Sequence, residues 1–454
     1  MLLTLVRKEM LGQVLNVRFY VSFALALLLL VPATYILATD YGLIQKEYGP
    51  LIGEGFYTPG GWDRFWVCRE VPRLRVLASG LNENLSLRSH NTVYEGAYFG
   101  ESQFVHNFLS DILSHLDFVF FINIVGSLLA FTFTYDAISG ERQRGTLRLM
   151  MTNPVRRTLV ILSKFLGSYL SFVISVLPAL GAVVLVLYLH PDVGFGASEW
   201  KASFWLFFLA MLNIGVFFML GVFISCITKE PRTTLTALMV IWVLLVLVIP
   251  NFSPFMASKL YPIPAFHQIQ RQADTLTQEN ARPARRQQRR FLDANGGNYE
   301  ALSEENKMEY QAIWVDHCRT FYAKELTKVW EAFFNQMDAQ ATLAQYLSLT
   351  SPSATFSYLA SDLAHTGIES EHKFRFATIR FRRQYAANVG EYIQRTGDKT
   401  KLWTIDNKLI PPFVVPRPTI SAVISSHLPQ FLILILYSFL CFCGAQVAFI
   451  RSSI

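Results

Sequence analysis

Residues 203–251 read SFWLFFLAMLNIGVFFMLGVFISCITKEPRTTLTALMVIWVLLVLVIPN. Two apolar runs, 203–228 and 233–251, lie on either side of the short polar turn 229–232. A helix of about 20 apolar residues can cross the hydrocarbon core of a bilayer. Because the turn is too short for anything but a reversal of direction, the stretch predicts two adjacent, antiparallel membrane-spanning helices.

Four further segments have comparable length and apolar character, namely residues 19–37, 118–138, 167–189 and 428–450. The whole chain of 454 residues is 52% hydrophobic and only 16% charged, whereas soluble domains contain roughly 25% charged residues. The sequence therefore predicts an all-α polytopic membrane protein with six transmembrane helices. An even number of spans places both termini on the same side.

Basic residues indicate which side that is. The segments 1–18, 139–166 and 229–232, together with Arg451, contain twelve Lys or Arg and three acidic residues, whereas residues 190–202 contain one Lys and two acids. Because Lys and Arg concentrate in cytoplasmic flanks, both termini are predicted to be cytoplasmic. The insertions 39–116 and 252–422 are then extracytoplasmic.

The first 18 residues predict a cytoplasmic amphipathic helix. Leu3, Val6, Met10 and Val14 recur on one helical face. The apolar run that follows is longer than the hydrophobic region of a signal peptide. We therefore expect an uncleaved first span preceded by an interfacial helix.

The two insertions differ in pattern. Residues 39–116 show no clear period, so the sequence assigns them no fold. Apolar positions in 304–349 recur at intervals of three and four, and 265–292 also has a helical pattern, whereas 373–383 fits strand and helix alike. The prediction is a mostly helical extracytoplasmic domain built from both insertions.

Basic clusters in the second insertion have two interpretations. In the first, the clusters bind anionic lipid or an anionic polymer. In the second, they are solvated helix faces whose charge is balanced by nearby acids. The 21 basic and 17 acidic residues in 252–422 favour the solvated faces. The clusters comprise Arg282, Arg285, Arg286, Arg289, Arg290, Arg375, Arg380, Arg382 and Arg383. An extracytoplasmic location argues against nucleic acid as a partner.

Charged residues avoid the cores of the predicted spans, with Asp136 and Lys164 near their edges. Ion-coupled pumps and proton relays require ionisable groups within the membrane, so this class is disfavoured. A few polar residues within the spans predict interhelical hydrogen bonds; they are Asn123, Asn213, Ser225 and Gln446.

Catalytic and cofactor motifs are not found in the sequence. It contains no G-x-x-x-x-G-K-[ST] loop, no H-E-x-x-H and no C-x-x-C, so no cofactor is expected. The spacing of His317, Cys318, His365 and His372 fits no metal-ligand pattern. A rival class, a membrane enzyme acting on a lipid-linked substrate, would need acids or histidines at the membrane surface. The candidates are Asp40, Asp63, His106, Asp111 and His115.

Residues 135–170 read YDAISGERQRGTLRLMMTNPVRRTLVILSKFLGSYL and follow the second span. Thr146 can cap a short helix that contains Leu147 and Met150, and Pro154 ends it. A short amphipathic helix tied between two spans is suited to passing force between the membrane surface and the membrane interior.

This segment resembles the permeases of type-2 ABC exporters. The shared features are an acid-base triplet at 141–143, Gly-Thr-Leu at 145–147, Pro154 followed by Arg156, and Lys-x-Leu-Gly at 164–167. The large insertion before the last span further resembles the permeases of nitrous-oxide reductase maturation and of gliding motility. Gln143 and Arg148 depart from the pattern, because relatives commonly carry acids there.

The resemblance implies that 141–157 docks as a coupling helix onto a separate ATPase. The coupling residues it implies are Glu141, Arg142, Arg144, Gly145, Thr146, Leu147, Pro154, Arg156 and Arg157. It implies a non-catalytic subunit in the bacterial cytoplasmic (inner) membrane, in contact with lipid, an ABC ATPase dimer and a second permease, identical or homologous. An extracytoplasmic partner protein is a further candidate. A complex that transmits force without transport is the remaining alternative.

Two cysteines lie outside the predicted spans. Cys68 follows aromatic residues in the first insertion, and Cys318 lies between Trp314 and Phe321 in the second. The aromatic clusters predict that the two insertions pack together. A disulfide requires Cα atoms within about 7 Å, and the alternative is two buried thiols, so both interpretations stay open.

Overall fold

The computed structural model describes residues 2–48, 56–57, 64–80, 88–92, 96–99, 116–152, 156–321, 325–396 and 413–451. In chain order the helices are α1 (Leu2–Val14), α2 (Val17–Tyr48), α3 (Phe118–Gln143), α4 (Thr146–Met151), α5 (Arg157–Leu189), α6 (Ala197–Ile227), α7 (Pro231–Leu260), α8 (Phe266–Ala294), α9 (Glu304–Phe321), α10 (Thr327–Ser348), α11 (Pro352–Leu363), α12 (Ile368–Thr396), α13 (Ile420–Ser426) and α14 (Leu428–Arg451). The strands are β1 (Phe56–Tyr57), β2 (Arg64–Cys68), β3 (Arg88–Thr92) and β4 (Gly96–Phe99).

Six of these helices are long and apolar enough to cross a membrane: α2, α3, α5, α6, α7 and α14. The predicted all-helical polytopic membrane fold is therefore confirmed. Several helices extend beyond the predicted spans. α5 begins at Arg157 rather than at 167, and α2 continues to Tyr48, because the backbone hydrogen bonds continue past the apolar core that a hydropathy pattern detects.

α6 lies at the centre of the membrane helices, in contact with α3, α5, α11 and α14. It is apolar on all sides, which is typical of a helix with no solvent-exposed face. Phe217 and Phe218 are fully buried and pack edge-on or tilted against aromatic rings of α3 and α5. At Gly221 a Cβ would lie 1.9 Å from Oγ1 of Thr134, so only glycine allows this close approach of α6 to α3.

α11 is buried among the membrane helices although it belongs to the second insertion. Most of its residues are buried, and it contacts α6, α7 and α14. Ser351 caps it by accepting a hydrogen bond from the Ala354 N–H at 3.1 Å, and the Ser351 hydroxyl also donates to the Leu245 carbonyl in the middle of α7. The sequence predicted only an extracytoplasmic location for this segment.

Two of the helices that hydrogen-bond to α11 or its cap contain a π-helical segment, Phe121–Gly126 in α3 and Val243–Val248 in α7. A π turn alters the regular hydrogen-bond ladder and is often associated with function. Asn123 lies in the first segment and Leu245 in the second, and both bond to α11 or its cap. The π-helical turns therefore lie where α3 and α7 hydrogen-bond to α11 and its cap.

The remaining helices of the second insertion pack on one another. α8, α10 and α12 share a cluster that includes Ile269, Trp330, Phe333, Phe334 and Ile379. The ambiguous segment 373–383 is helical, because its buried positions recur at helical spacing against this cluster and its neighbours. Pro283 does not interrupt α8.

The first insertion, which the sequence left unassigned, contains a small antiparallel sheet of order β1-β2-β3-β4. It meets the second insertion through a buried ion pair, Arg69–Glu371, at 3.3 Å. Thr366 Oγ1 also donates to the Ala78 carbonyl at 2.9 Å. The predicted contact between the insertions is therefore present. Cys68 is buried at the end of β2, and the side chain of Cys318 is outside the described residues, so the disulfide stays a prediction.

Asp117 fixes the start of α3. Its Oδ1 accepts from the Phe120 N–H at 2.7 Å, and its Oδ2 accepts from the Ser79 N–H at 2.8 Å and from the Ser79 hydroxyl at 2.9 Å. Burial raises the pKa of Asp117 to about 6, although these hydrogen bonds act in the opposite direction. The folded state therefore holds the Asp117 proton more tightly than the unfolded chain does.

This pKa shift predicts a pH dependence. A carboxyl group whose folded pKa is raised loses its stabilising contribution as pH rises from its unfolded pKa to its folded one. We expect the Tm of Asp117→Asn minus that of the wild type to increase between pH 4 and pH 7. Thermal unfolding in detergent micelles measures it, with Asp274→Asn on exposed α8 as control. A difference that is constant with pH contradicts the assignment.

Candidate functional site

The connection between α3 and α5 turns at Gly145, which has φ of 73°. A Cβ here would meet no atom within 4 Å, so the backbone conformation alone favours glycine. Thr146, at the start of α4, donates from its hydroxyl to the Glu141 carbonyl at 3.3 Å. Gly145 is therefore the residue at the N-cap of α4, and the prediction that the Thr146 side chain caps this helix is wrong, because its hydroxyl bonds back to α3 instead.

Leu147 anchors α4 to the membrane helices. Its side chain is fully buried with residues of α3, α5, α6 and α14, among them Ile138, Ile161, Val222 and Phe449. Full burial of a leucine side chain contributes about 1.5–3 kcal/mol. The third residue of the Gly-Thr-Leu motif therefore fixes the inner face of α4.

Arg142 and Arg157 bond to helix ends within the protein. Arg142 donates to the Thr228 carbonyl at 2.7 Å and the Cys226 carbonyl at 3.2 Å, at the C-terminus of α6. Arg157 donates to the carbonyls of Phe449 and Ile450 at 3.0 and 2.9 Å, near the end of α14. Carbonyls in a last helical turn lack intrahelical donors, so these arginines tie residues 141–157, the predicted coupling segment, to two spans.

Lys164 joins three parts of the structure. Its Nζ lies 2.8 Å from Oε1 of Glu9 in α1 and also contacts Glu141 at the end of α3. The Lys164 side chain is only 6% exposed. A buried cation between two carboxylates holds α1, α3 and α5 in one arrangement.

α1 crosses α5 at Gly167, one turn beyond Lys164. A Cβ on Gly167 would lie 2.5 Å from the Cβ of Glu9, which leaves no room for a side chain. The Lys-x-Leu-Gly motif therefore has a structural explanation: Lys164 pairs with Glu9, and Gly167 allows α1 to approach closely enough for that pair.

On the outer face of the coupling segment, the side chains of the described residues make no hydrogen bond or ion pair with another helix. Leu149 is 71% exposed, and several polar residues beside it are also exposed, namely Gln143, Arg144, Arg148, Thr152 and Arg156. We call these six residues the outer coupling face. Pro154, the remaining predicted coupling residue, lies outside the described residues.

A chain of hydrogen bonds connects the spans to α11. Asn213 of α6 donates to Asn123 of α3 at 3.5 Å, and Asn123 donates to Ser357 of α11 at 2.7 Å. Tyr437 of α14 donates to the Leu349 carbonyl before α11 at 2.9 Å. The interhelical role predicted for the polar span residues is found here and also at Ser225 and Gln446.

A cavity of about 580 Å³ lies between α11 and the neighbouring helices. Most of its lining is apolar and comes from α7, α10, α11 and the segments around Asp117 and Gly80. Among its lining residues are Pro254, Met337, Ala341, Ala344 and Ile368. No local sequence pattern indicates this cavity, because its lining residues are far apart in the chain.

The buried pairing of Lys164 with Glu9 and Glu141 predicts how substitutions of these residues change the Tm. Lys164→Met leaves Glu9 and Glu141 buried without their cation, and removing one partner from a buried ion pair typically costs about 3–5 kcal/mol. We expect a lower Tm in detergent. The triple variant Lys164→Met, Glu9→Gln and Glu141→Gln should recover most of the lost Tm, because it leaves no unpaired buried charge. The exposed Lys201→Met should leave the Tm unchanged. A Tm unchanged by Lys164→Met alone contradicts this account.

The chain is similar to proteins of a known transporter family. The sequence profile of the ABC-2 family transporter proteins matches residues 3–452. Two curated relatives, both described as probable ABC transporter permease protein NosY, are 32% identical over 123 residues in Stutzerimonas stutzeri and 34% identical over 122 residues in Pseudomonas aeruginosa. These matches cover 27% and 26% of this chain, and the chain spans 44% of the length of each relative.

Proposed function

Because this chain belongs to the ABC-2 family of transporter proteins, we propose that it is the membrane-spanning permease subunit of an ABC exporter, driven by an ATPase on a separate chain. Membership of the family implies association with an ATPase and a second permease. The observation that supports a coupling role is the outer coupling face, which is exposed on a segment whose inner face is fixed to the spans.

The proposed coupling mechanism follows from the contacts of that segment. A docked partner can move the spans only if the segment between them is firmly attached to the spans. Leu147 packs in the core, Arg142 binds the end of α6 and Arg157 binds the end of α14. Movement of a docked ATPase would therefore displace α6 and α14 together with α4.

We further propose that the coupling segment and both termini are cytoplasmic and that the two insertions are extracytoplasmic. The support is the excess of Lys and Arg on one side. α1 also fits this arrangement. It carries basic residues at the surface, and its Glu9 pairs with Lys164 of α5. ATP-driven motion would then pass from the cytoplasmic side to the insertions.

The cavity beside α11 suggests the chemistry of the cargo. Its lining is largely apolar, and the cores of the spans have no charged residues to guide an ion. We propose that this cavity receives an apolar group of the transported molecule, such as an acyl chain. α11 would respond to its occupancy, because it forms part of the wall.

Among alternatives, the lipid-linked enzyme gains no support from the described residues. Asp40 pairs with Arg75 at 2.9 Å, and the other candidate residues lie outside the part of the chain that the structure describes. A force-transmitting complex without transport uses the same coupling segment. The cavity distinguishes them, because only a transporter needs it to be occupied by cargo.

Charge reversal tests the docking face. We expect Arg144→Glu combined with Arg148→Glu to leave the Tm unchanged and to weaken co-purification of the ATPase about tenfold or more, because opposite charges at an interface guide association. Arg142→Glu should instead lower the Tm, since it removes the contacts with the end of α6.

The matched control is Arg286→Glu, an equally exposed reversal on α8 of the second insertion. It should affect neither co-purification nor ATP hydrolysis by the complex. The docking proposal fails if the double reversal leaves both unchanged, or if the α8 control impairs them to the same extent.

Photolabelling tests the cavity. We expect a diazirine derivative of palmitic acid to label residues of α10 and α11 in the purified protein, and Ala344→Trp to reduce this labelling by filling the cavity. Ala339→Trp places the same side chain on an exposed position of α10 and is the control. Labelling confined to the outer surfaces of the spans, unchanged by Ala344→Trp, contradicts an acyl-binding role.

A further inference from the structure

Three potential metal ligands converge where α11, α12 and α14 meet. Asp362 lies in the last turn of α11, Glu369 in the first turn of α12, and His427 immediately before α14. Their donor atoms all lie within 4.8 Å of one another. Nε2 of His427 is 3.2 Å from Oδ2 of Asp362 and 4.0 Å from Oε2 of Glu369.

These separations suit a bound cation. Metal–ligand bonds of about 2.0–2.2 Å to nitrogen and oxygen place neighbouring donors roughly 3–3.5 Å apart. The Asp362–His427 distance is within this range, and the longer distance from His427 to Glu369 closes by rotation of the Glu369 side chain, which is 45% exposed. Little rearrangement is needed to bring all three donors onto one ion.

The buried pair in this cluster, Asp362 and His427, is not aligned as a regular hydrogen bond. Nε2 of His427 is buried, and Oδ2 of Asp362, 3.2 Å away, is its ion-pair partner there, although the two are not aligned as a regular hydrogen bond. The Asp362 side chain is only 5% exposed, and His427 is its one ion-pair partner among the described residues. Buried polar groups normally have well-aligned partners, and a misaligned pair whose donor atoms converge with those of Glu369 leaves capacity for a further ligand.

Gly367 makes room for the Asp362 carboxylate. A Cβ on Gly367 would lie 2.1 Å from Oδ1 of Asp362. The loop between α11 and α12 can therefore fold over the carboxylate and bring Glu369 beside it only with glycine at this position.

The charges around the cluster also fit a divalent cation. Lys373 donates to Oε1 of Glu369, which leaves Oε2 facing His427. The two carboxylates and a neutral imidazole carry a charge of −2, of which the Lys373 ammonium offsets one, so the remaining net charge of −1 still attracts a cation.

An opening to solvent lies beside the donors. Asp362 and Glu369 line a cavity of about 230 Å³, together with His365 and Arg417. This volume holds several water molecules. It provides both a path of entry and the water that would complete the coordination of a metal with three protein ligands.

We propose that Asp362, Glu369 and His427 bind a divalent transition-metal ion, with Zn²⁺ as the best match. An imidazole with two carboxylates suits Zn²⁺ better than Mg²⁺ or Ca²⁺, which prefer oxygen ligands alone. The ion would join α11 and α12 to the start of α14. This site is independent of the proposed transport function.

Calorimetric titration of the metal-free, full-length protein in detergent tests the site with ZnCl₂ as the probe. We expect one Zn²⁺ per chain and an increase in Tm on binding. Glu369→Gln and His427→Gln should each weaken binding by at least about tenfold. Glu369 is half-exposed, so its variant remains informative if the others fold poorly.

His372→Gln is the matched control. His372 also contacts an aspartate, Asp338, but this pair belongs to no three-donor cluster in the described part of the chain. Its removal should leave Zn²⁺ binding unchanged. The proposal is overturned if the wild type binds no Zn²⁺, if Glu369→Gln and His427→Gln bind as tightly as the wild type, or if Ca²⁺ binds more tightly than Zn²⁺.

Discussion

The buried pairing of Lys164 with Glu9 and Glu141 is the constraint on which the coupling segment depends. Charges in a site of low dielectric interact strongly, and each is costly to leave unpaired. Lys164 therefore requires α1 to stay against α5 and the end of α3 to stay beside both. Gly167 allows this approach, because any side chain there would collide with Glu9. The position of α4 follows from the position of these three helices.

The interior of the spans follows a different rule, because hydroxyl and amide groups replace charges there. A membrane provides no water to satisfy exposed backbone groups. The hydroxyl of Ser351 bonds the Leu245 carbonyl in the π-helical part of α7, and Trp242 Nε1 donates to Ser127 at 2.8 Å. Asn123 reaches Ser357 from the π-helical part of α3. These bonds involve no charged group and help to hold α11 among the spans.

Hydropathy predicted the six spans because their apolar runs exceed the thickness of a bilayer core, and a short sequence motif predicted the coupling segment. The direction of each side chain was not predictable. Arg142 and Arg144 are two residues apart in one loop, yet the first binds the end of α6 while the second is exposed. Their roles depend on where Thr228 and Cys226 lie, which is information that a local pattern does not contain.

The position of α11 and the convergence of the proposed metal ligands were not predictable from the sequence for a related reason. α11 has only 12 residues and contains several hydroxyl groups, so it lacks the length and the hydropathy of a span. Asp362, Glu369 and His427 come from three elements and have no spacing typical of metal ligands. Only the packing of α11 against α14 brings them together.

α14 connects the predicted coupling segment, at the C-terminus of the helix, with the proposed metal site, at its N-terminus. Near its C-terminus, Arg157 bonds two of its carbonyls, and His427 lies immediately before its N-terminus. A helix of 24 residues is about 36 Å long and moves nearly as a rigid rod. A displacement of the coupling segment must either break the two Arg157 hydrogen bonds or move α14. If α14 moves, His427 moves relative to Asp362 and Glu369, so the proposed metal site would resist the motion when it is occupied.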